Sequence, residues 1–332
     1  MLGKLKWAFE VLRETWLVAR VPPNRRVFEA LRSAADAPAR KGLAAYLRDR
    51  PARGRIGILR DWRRDPASGE ARLAYSSSLF ADGCLRIRPG RGRGVLVFLP
   101  GNMMGADDVL RAGEHRQSMT GVADAAGMAL ASWDWPLQGG RRERSLYLGL
   151  RSLRSAEREY SRFLPSLGTC LWREFAAELD FALAQVRRHM GADGEMHVVG
   201  WSMGACFAYV APLLCESVGT TIAVGSCARV RDLVAAGETR RHGFFFYPLD
   251  AAAYFDLDDL VDAALAAKRP VRIVHGDRDL GCLPDTRSAL IERSRSSQGL
   301  LEVEVVPGHG HVLSRELKDR IRRHLERASV RP

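Results

Sequence analysis

The stretch Glu195-Met-His-Val-Val-Gly-Trp-Ser-Met-Gly204 decides the reading of this chain. It is a short apolar run that ends in Gly200-x-Ser202-x-Gly204, and the segment from Ala205 to Leu214 that follows is apolar, small-residue and helical in character. A serine at a strand-to-helix turn of this kind sits on a tight bend. Its hydroxyl stands clear of the sheet, and the next backbone N–H points where an oxyanion would form. The flanking glycines are needed because neighbouring backbone comes too close for a Cβ. Alone the motif is a weak signal. Its weight depends on whether the chain also supplies a base, an acid to orient that base and oxyanion donors.

Outward from this stretch, strands alternate with helices from residue 94 onward. Gly94-Val-Leu-Val-Phe-Leu99 is a continuous apolar run, the mark of a strand buried on both faces. Further strands are predicted over 128–132, 220–225, 271–276 and 301–306, and helices over 106–126, 170–190, 284–296 and from 312 to about 327. Upstream, 55–62, 71–80 and 85–88 read as antiparallel strands with turn signals at Asp65-Pro66 and Asp82-Gly83. This order predicts an α/β fold with a doubly wound, mostly parallel sheet, whose strand ends on one edge bind ligand. Residues 55–332 are expected to form that domain, with a helical excursion at 141–168 and a helical cap at 229–268.

Residues 1–54 read as a basic helical extension. Leu2, Leu5, Phe9, Leu12, Trp16 and Leu17 share one helical face, Pro22-Pro23 ends that helix, and two more helices are predicted over 25–36 and 38–49. The extension is expected to pack on the core or to join two copies as a homodimer. An amphipathic helix resting on an anionic membrane is the competing reading.

The 332 residues carry a formal charge of +12, unevenly spread. Residues 1–64 hold 16 Lys/Arg against 6 Asp/Glu, and the remainder 35 against 33. The domain itself is therefore nearly neutral. No aromatic residues alternate with basic ones, so nucleic acid is not expected as a partner. The six cysteines form no Cys-x-x-Cys pair and none lies at metal spacing from a histidine. No metal site is expected, Cys206 and Cys227 read as reduced core residues, and a cytoplasmic location follows. Charges at Lys6, Glu10, Arg13 and Glu14 interrupt the N-terminal apolar positions, so no signal peptide is read there.

The remaining parts of an acyl-transfer site follow strands on the same edge. A carboxylate follows the strand 271–276, and Pro307-Gly-His-Gly-His311 follows the last strand. In the order Ser202…Asp279…His311 the chain resembles the α/β-hydrolase superfamily over about residues 94–325. The resemblance implies Asp279 and not Asp277 as the acid, because the family places it three residues after the glycine that ends its strand. It implies His311 and not His309 as the base. It also implies an oxyanion hole built from the backbone N–H groups of Met203 and of Asn102, with Met103 as the alternative, although this chain has Pro100-Gly101 where a His-Gly pair is common. The segments Phe246-Tyr-Pro-Leu, Tyr254-Phe-Asp-Leu and Arg269-Pro-Val resemble dienelactone-hydrolase-like and acetyl-xylan-esterase-like members.

The resemblance implies a serine esterase of small or medium acylated substrates that needs no cofactor. Trp201, Met103, Phe245 and Tyr247 are expected to line its substrate pocket. A thioesterase or acyltransferase would use the same three residues, as would a peptidase. A membrane-associated lipase would need residues 2–20 to face lipid, and a non-catalytic binding module would lack one of the three.

Overall fold

A computed structural model of the chain describes residues 42–49, 52–92, 94–102, 104–113, 118–144, 160, 164–191, 194–225, 229, 231–232, 254–279 and 282–329. Nine strands form one sheet: β1 (Ile56–Arg64), β2 (Ala71–Ser77), β3 (Gly83–Arg88), β4 (Val95–Leu99), β5 (Ala129–Trp133), β6 (Met196–Trp201), β7 (Val218–Val224), β8 (Val271–Gly276) and β9 (Leu301–Val306). Their spatial order is β1-β2-β3-β5-β4-β6-β7-β8-β9. The strands β1, β2, β3 and β5 pair antiparallel, and every pairing from β5 to β9 is parallel. The chain leaves β4 toward β5, then returns past it to β6. Strand order therefore reverses between β4 and β6, the position where an open α/β sheet leaves a crevice at its carboxyl edge.

Helices cover both faces, which explains the apolar runs. In β4, Val95, Val97 and Leu99 join one core cluster, and Leu96 and Phe98 join the other. The first cluster lies under α1 (Gly42–Asp49), α5 (Leu171–Met190), α6 (Met203–Ala208), α7 (Ala211–Leu214) and α8 (Leu257–Ala266), with Leu290 of α9 (Pro284–Ser296) at its margin. The second lies under α2 (Ala106–Leu110), α3 (Thr120–Ala125) and α10 (Arg315–Ser329). In α5, Leu171, Phe175, Leu179, Leu183 and Val186 are all buried, as their spacing predicts. Tyr46 of α1 is wholly buried with edge contacts to Trp172, Tyr254 and Phe255, so the end of the N-terminal extension is built into the core. The rest of that extension lies outside the described residues.

One helix expected from sequence is two. The span 106–126 contains α2 and α3, because the chain turns extended at Arg111 and passes through Gly113 at φ +93°. Position 113 is left-handed and open, which a continuous helix does not allow. The excursion at 141–168 contains the end of α4 (Gly139–Arg144) and a 3₁₀ turn at Leu164–Leu167. Among the described residues no helix is long and apolar enough to cross a membrane.

Candidate active site

The elbow follows β6. Ser202 adopts φ +55° and ψ −115°, a left-handed conformation that costs a non-glycine residue about 1–3 kcal/mol and persists only where the surroundings enforce it. Its N–H is held by the carbonyl of Val224 on β7 at 2.9 Å. A Cβ on Gly200 would fall 2.2 Å from the carbonyl oxygen of Gly204, and one on Gly204 would fall 2.0 Å from that of Leu99. Both glycines of the motif are thus fixed by backbone passing within contact distance.

His311 comes from the loop after β9, and its Nε2 lies 2.7 Å from Ser202 Oγ. Its Nδ1 faces Asp279, at 2.9 Å from Oδ1 and 3.1 Å from Oδ2. The Asp279 side chain is 2% exposed and that of His311 36%, so the row runs from a buried acid to a water-accessible imidazole. The loops that carry the two residues are joined: Arg278 donates its N–H to the His309 carbonyl at 2.9 Å, and a Cβ on Gly276 would meet that same oxygen at 2.0 Å. Gly225, at φ +57°, ends β7 against both side chains. A Cβ there would lie 3.0 Å from Asp279 Oδ2 and 3.4 Å from His311 Nδ1. Asp277 is exposed, and its N–H bonds the Val306 carbonyl. His309 turns away to Pro307 O at 2.9 Å and Glu316 at 3.3 Å.

Met203 opens α6, where a backbone N–H has no intrahelical acceptor. Asn102 lies in the loop after β4, half-buried, with its side-chain Oδ1 enclosed and without a hydrogen-bond partner. That loop is tied at both ends by residues whose roles sequence reasoning missed. Trp135 Nε1 donates to the Pro100 carbonyl at 3.1 Å. Asp134 accepts from Ala106 N at 2.7 Å and from Gly140 N at 2.9 Å, joining the start of α2 to α4. Burial raises the Asp134 carboxyl above its ordinary value, and the two backbone N–H groups oppose that shift. Behind the acid, Arg287 of α9 directs Nη1 at the carbonyls of Gly276, Asp279 and Cys282, at 3.3, 3.4 and 3.2 Å. The only sequence signal for these residues is position: Asp134 and Trp135 follow a strand on the active edge. A surface-spaced arginine on α9 carries none.

This is an α/β-hydrolase fold. A glucuronoyl esterase from Solibacter usitatus superposes with a TM-score of 0.55 at 13% identity, over 93% of each chain. An esterase from Pyrococcus furiosus gives 0.50 at 13%, over 82% of this chain and 91% of that one. A protein assigned as a dipeptidyl aminopeptidase IV from Bacteroides ovatus gives 0.52 at 16%, and there the match spans 82% of this chain but only 35% of the larger protein. The sequence matches no protein-family model and no curated relative.

Of the residues expected to line a substrate pocket, Met103, Phe245 and Tyr247 lie outside the described residues. Trp201 lies at the site but against the base: its indole is stacked on the His311 ring, with centroids 5.0 Å apart and planes 30° apart. Cys206 is buried as expected, and Cys227 falls outside the described residues. Among the described residues no group of three His, Cys, Asp or Glu side chains is placed to hold a metal ion.

Proposed function

We propose that the chain is a serine hydrolase that cleaves carboxylic esters of small or medium acylated substrates. The observation behind this reading is the 2.7 Å contact between His311 Nε2 and a Ser202 hydroxyl raised on a left-handed elbow. Ser202 attacks the ester carbonyl while His311 takes its proton at Nε2. Asp279, buried and paired with Nδ1, fixes the tautomer and stabilises the imidazolium. The Met203 and Asn102 N–H groups receive the oxyanion, each donor contributing about 3–4 kcal/mol to the transition state. His311 then returns its proton to the leaving alcohol, and activates a water that releases the acyl group. The exposed imidazole gives water access to the acyl-enzyme, as hydrolysis requires. The esterases among the solved relatives support an ester over an amide.

Fluorophosphonate labelling of wild type against Ser202→Ala tests the reading. Wild type is expected to label and Ser202→Ala not to, with kcat on p-nitrophenyl esters falling about a million-fold. Equal labelling would remove Ser202 from the mechanism. A panel of p-nitrophenyl esters, acyl-CoA thioesters and aminoacyl anilides then reports the leaving group, and a preference for either of the last two would replace the ester assignment.

A further inference from the structure

Trp201 occupies the first variable position of the Gly-x-Ser-x-Gly motif, one residue before the nucleophile, where an aromatic ring is not needed to make the turn. Its indole is half-buried and packs on the core cluster beneath α2, α3 and α10. Two features of the site converge on it. The oxyanion loop comes so close that a Cβ on Gly101 would lie 2.3 Å from Trp201 Cε3 and 2.6 Å from Cζ3. The His311 imidazole is stacked on the same side chain at 5.0 Å between centroids, within the range where a cation over an indole face is attracted by the ring quadrupole.

We propose that Trp201 is a positioning residue that stabilises the imidazolium form of His311 during proton transfer from Ser202. The proposal rests on the triad reading above and gives Trp201 a role other than substrate lining. When Ser202 Oγ forms its bond to the acyl carbon, its proton moves to His311 Nε2 and the ring becomes a cation. The Asp279 carboxylate meets that charge in the plane of the ring, at Nδ1. The indole meets it from the ring face, where no hydrogen bond can act. The interaction is stronger in the charged state than in the neutral one, the condition for lowering the barrier to attack. It explains why a large aromatic ring stands at a position that the turn leaves unconstrained, and why Gly101 has no side chain.

Among the described residues, the charged and titratable groups around His311 are Asp279 on the acid loop, Ser202 on the elbow, His275 near the end of β8 and Arg287 on α9, with the His309–Glu316 pair on its own loop. A change confined to the π face of residue 201 leaves all of them in place. The test therefore replaces Trp201, in the full-length chain, by site-specific incorporation of tryptophans carrying one to four ring fluorines. These keep the shape of the indole and weaken its quadrupole in steps. Trp201→Phe and Trp201→Leu provide the genetically simpler pair. The readouts are kcat and kcat/KM on a p-nitrophenyl ester across pH, with circular dichroism to confirm folding.

The acid limb of kcat/KM is expected to move stepwise to lower pH with each fluorine, by about half to one unit in total, while plateau kcat falls about ten-fold and KM changes little. Trp201→Phe should retain most of the wild-type profile and Trp201→Leu should match the most fluorinated protein. A fluorine series with a fixed acid limb and unchanged kcat, alongside an inactive Ser202→Ala, would overturn the role of Trp201 alone. A Ser202→Ala protein with wild-type turnover would overturn the triad reading and this role with it.

Discussion

Tyr75, Glu178 and Arg141 form a hydrogen-bonded row of polar side chains inside the molecule, as Ser202, His311 and Asp279 do at its carboxyl edge. In the first row Tyr75 OH donates to Glu178 Oε1 at 2.8 Å and Arg141 Nη1 donates to the same oxygen at 2.5 Å. Arg141 also reaches the carbonyls of Ala81 and Asp134, at 2.9 and 3.1 Å. Both rows join residues far apart in sequence and both contain a buried carboxylate, at the centre of the first row and at the end of the second. They differ in access to water. The side chains of Arg141 and Glu178 are at most 1% exposed, whereas that of His311 is 36% exposed. Burial works against the Arg141 charge and the Glu178 carboxylate more than offsets it, so the guanidinium is held above its ordinary value. Burial likewise pushes the Tyr75 phenol well up. Burial also pushes the Glu178 carboxyl up, against the Arg141 charge and the hydrogen bonds from Arg141 and Tyr75. In the other, an imidazole stands between an acid and a hydroxyl, and a proton has somewhere to go. Sealed from water, the first row ties the fold together; open at one end, the second is arranged to pass a proton, as we propose for Ser202 and His311.

The largest effects that would break this comparison fall on the row proposed to be catalytic. Asp279→Asn is expected to lower kcat about ten-thousand-fold, because the wrong imidazole tautomer then faces Ser202. Asp277→Asn, altering an exposed side chain, should remain near wild type. Steady-state kinetics of both proteins decide the matter, and a damaging Asp277→Asn would assign the acid to the wrong residue. Glu178→Gln is expected to act the other way. It leaves the Arg141 charge buried without its counter-charge, a loss of about 3–5 kcal/mol of stability. Activity per folded molecule should be retained. Urea denaturation with active-site titration separates the two quantities. A stable Glu178→Gln protein with low kcat would place this row in the catalytic machinery.

How much of this was readable in the sequence depends on the range of the interactions involved. All nine strands were legible: from β2 to β9 apolar alternation or apolar runs record burial locally, whereas β1 is mostly exposed and was read from its place before the Asp65-Pro66 turn. The elbow was legible because its five-residue pattern is local, although only Gly200 answers to the turn itself and Gly204 answers to the end of β4. The break between α2 and α3 was missed, since one glycine at 113 outweighs the apolar spacing on either side. Asp279 and His311 were separable from Asp277 and His309 only by resemblance, since each pair offers the same chemistry two residues apart. The ties from Trp135 to Pro100 and from Arg287 to three carbonyls link residues that only the folded sheet brings together. Trp201 shows the limit most plainly. The sequence shows an aromatic beside Ser202, but that it stacks on His311, more than a hundred residues away, only the fold reveals.

His275 sharpens the comparison, because it belongs to the catalytic edge by position and to the buried row by environment. It lies near the end of β8, is fully buried, and has Cys282 Sγ at 3.5 Å from Nε2. Burial lowers its pKa to about 4, with Asp279 opposing the shift and Arg287 and His311 adding to it. The unfolded chain binds a proton at this residue near the ordinary histidine value of 6.5, and the folded chain does so only near 4. Above 6.5 both states are neutral and His275 contributes no pH dependence. As pH falls from 6.5 to 4 the unfolded state alone takes up the proton, and folding loses about 3 kcal/mol from this group. Below 4 both states are charged and the loss levels off. Burial lowers the pKa of His197 and His324 in the same direction, so the total slope does not isolate His275. The difference between wild type and His275→Gln does. Unfolding free energies from urea titrations at a series of pH values should converge as pH falls from 6.5 to 4, the variant losing about 3 kcal/mol less than wild type over that window. Parallel curves would mean that His275 takes up a proton within the fold as readily as in the unfolded chain. It would then belong with the open row and not with the sealed one.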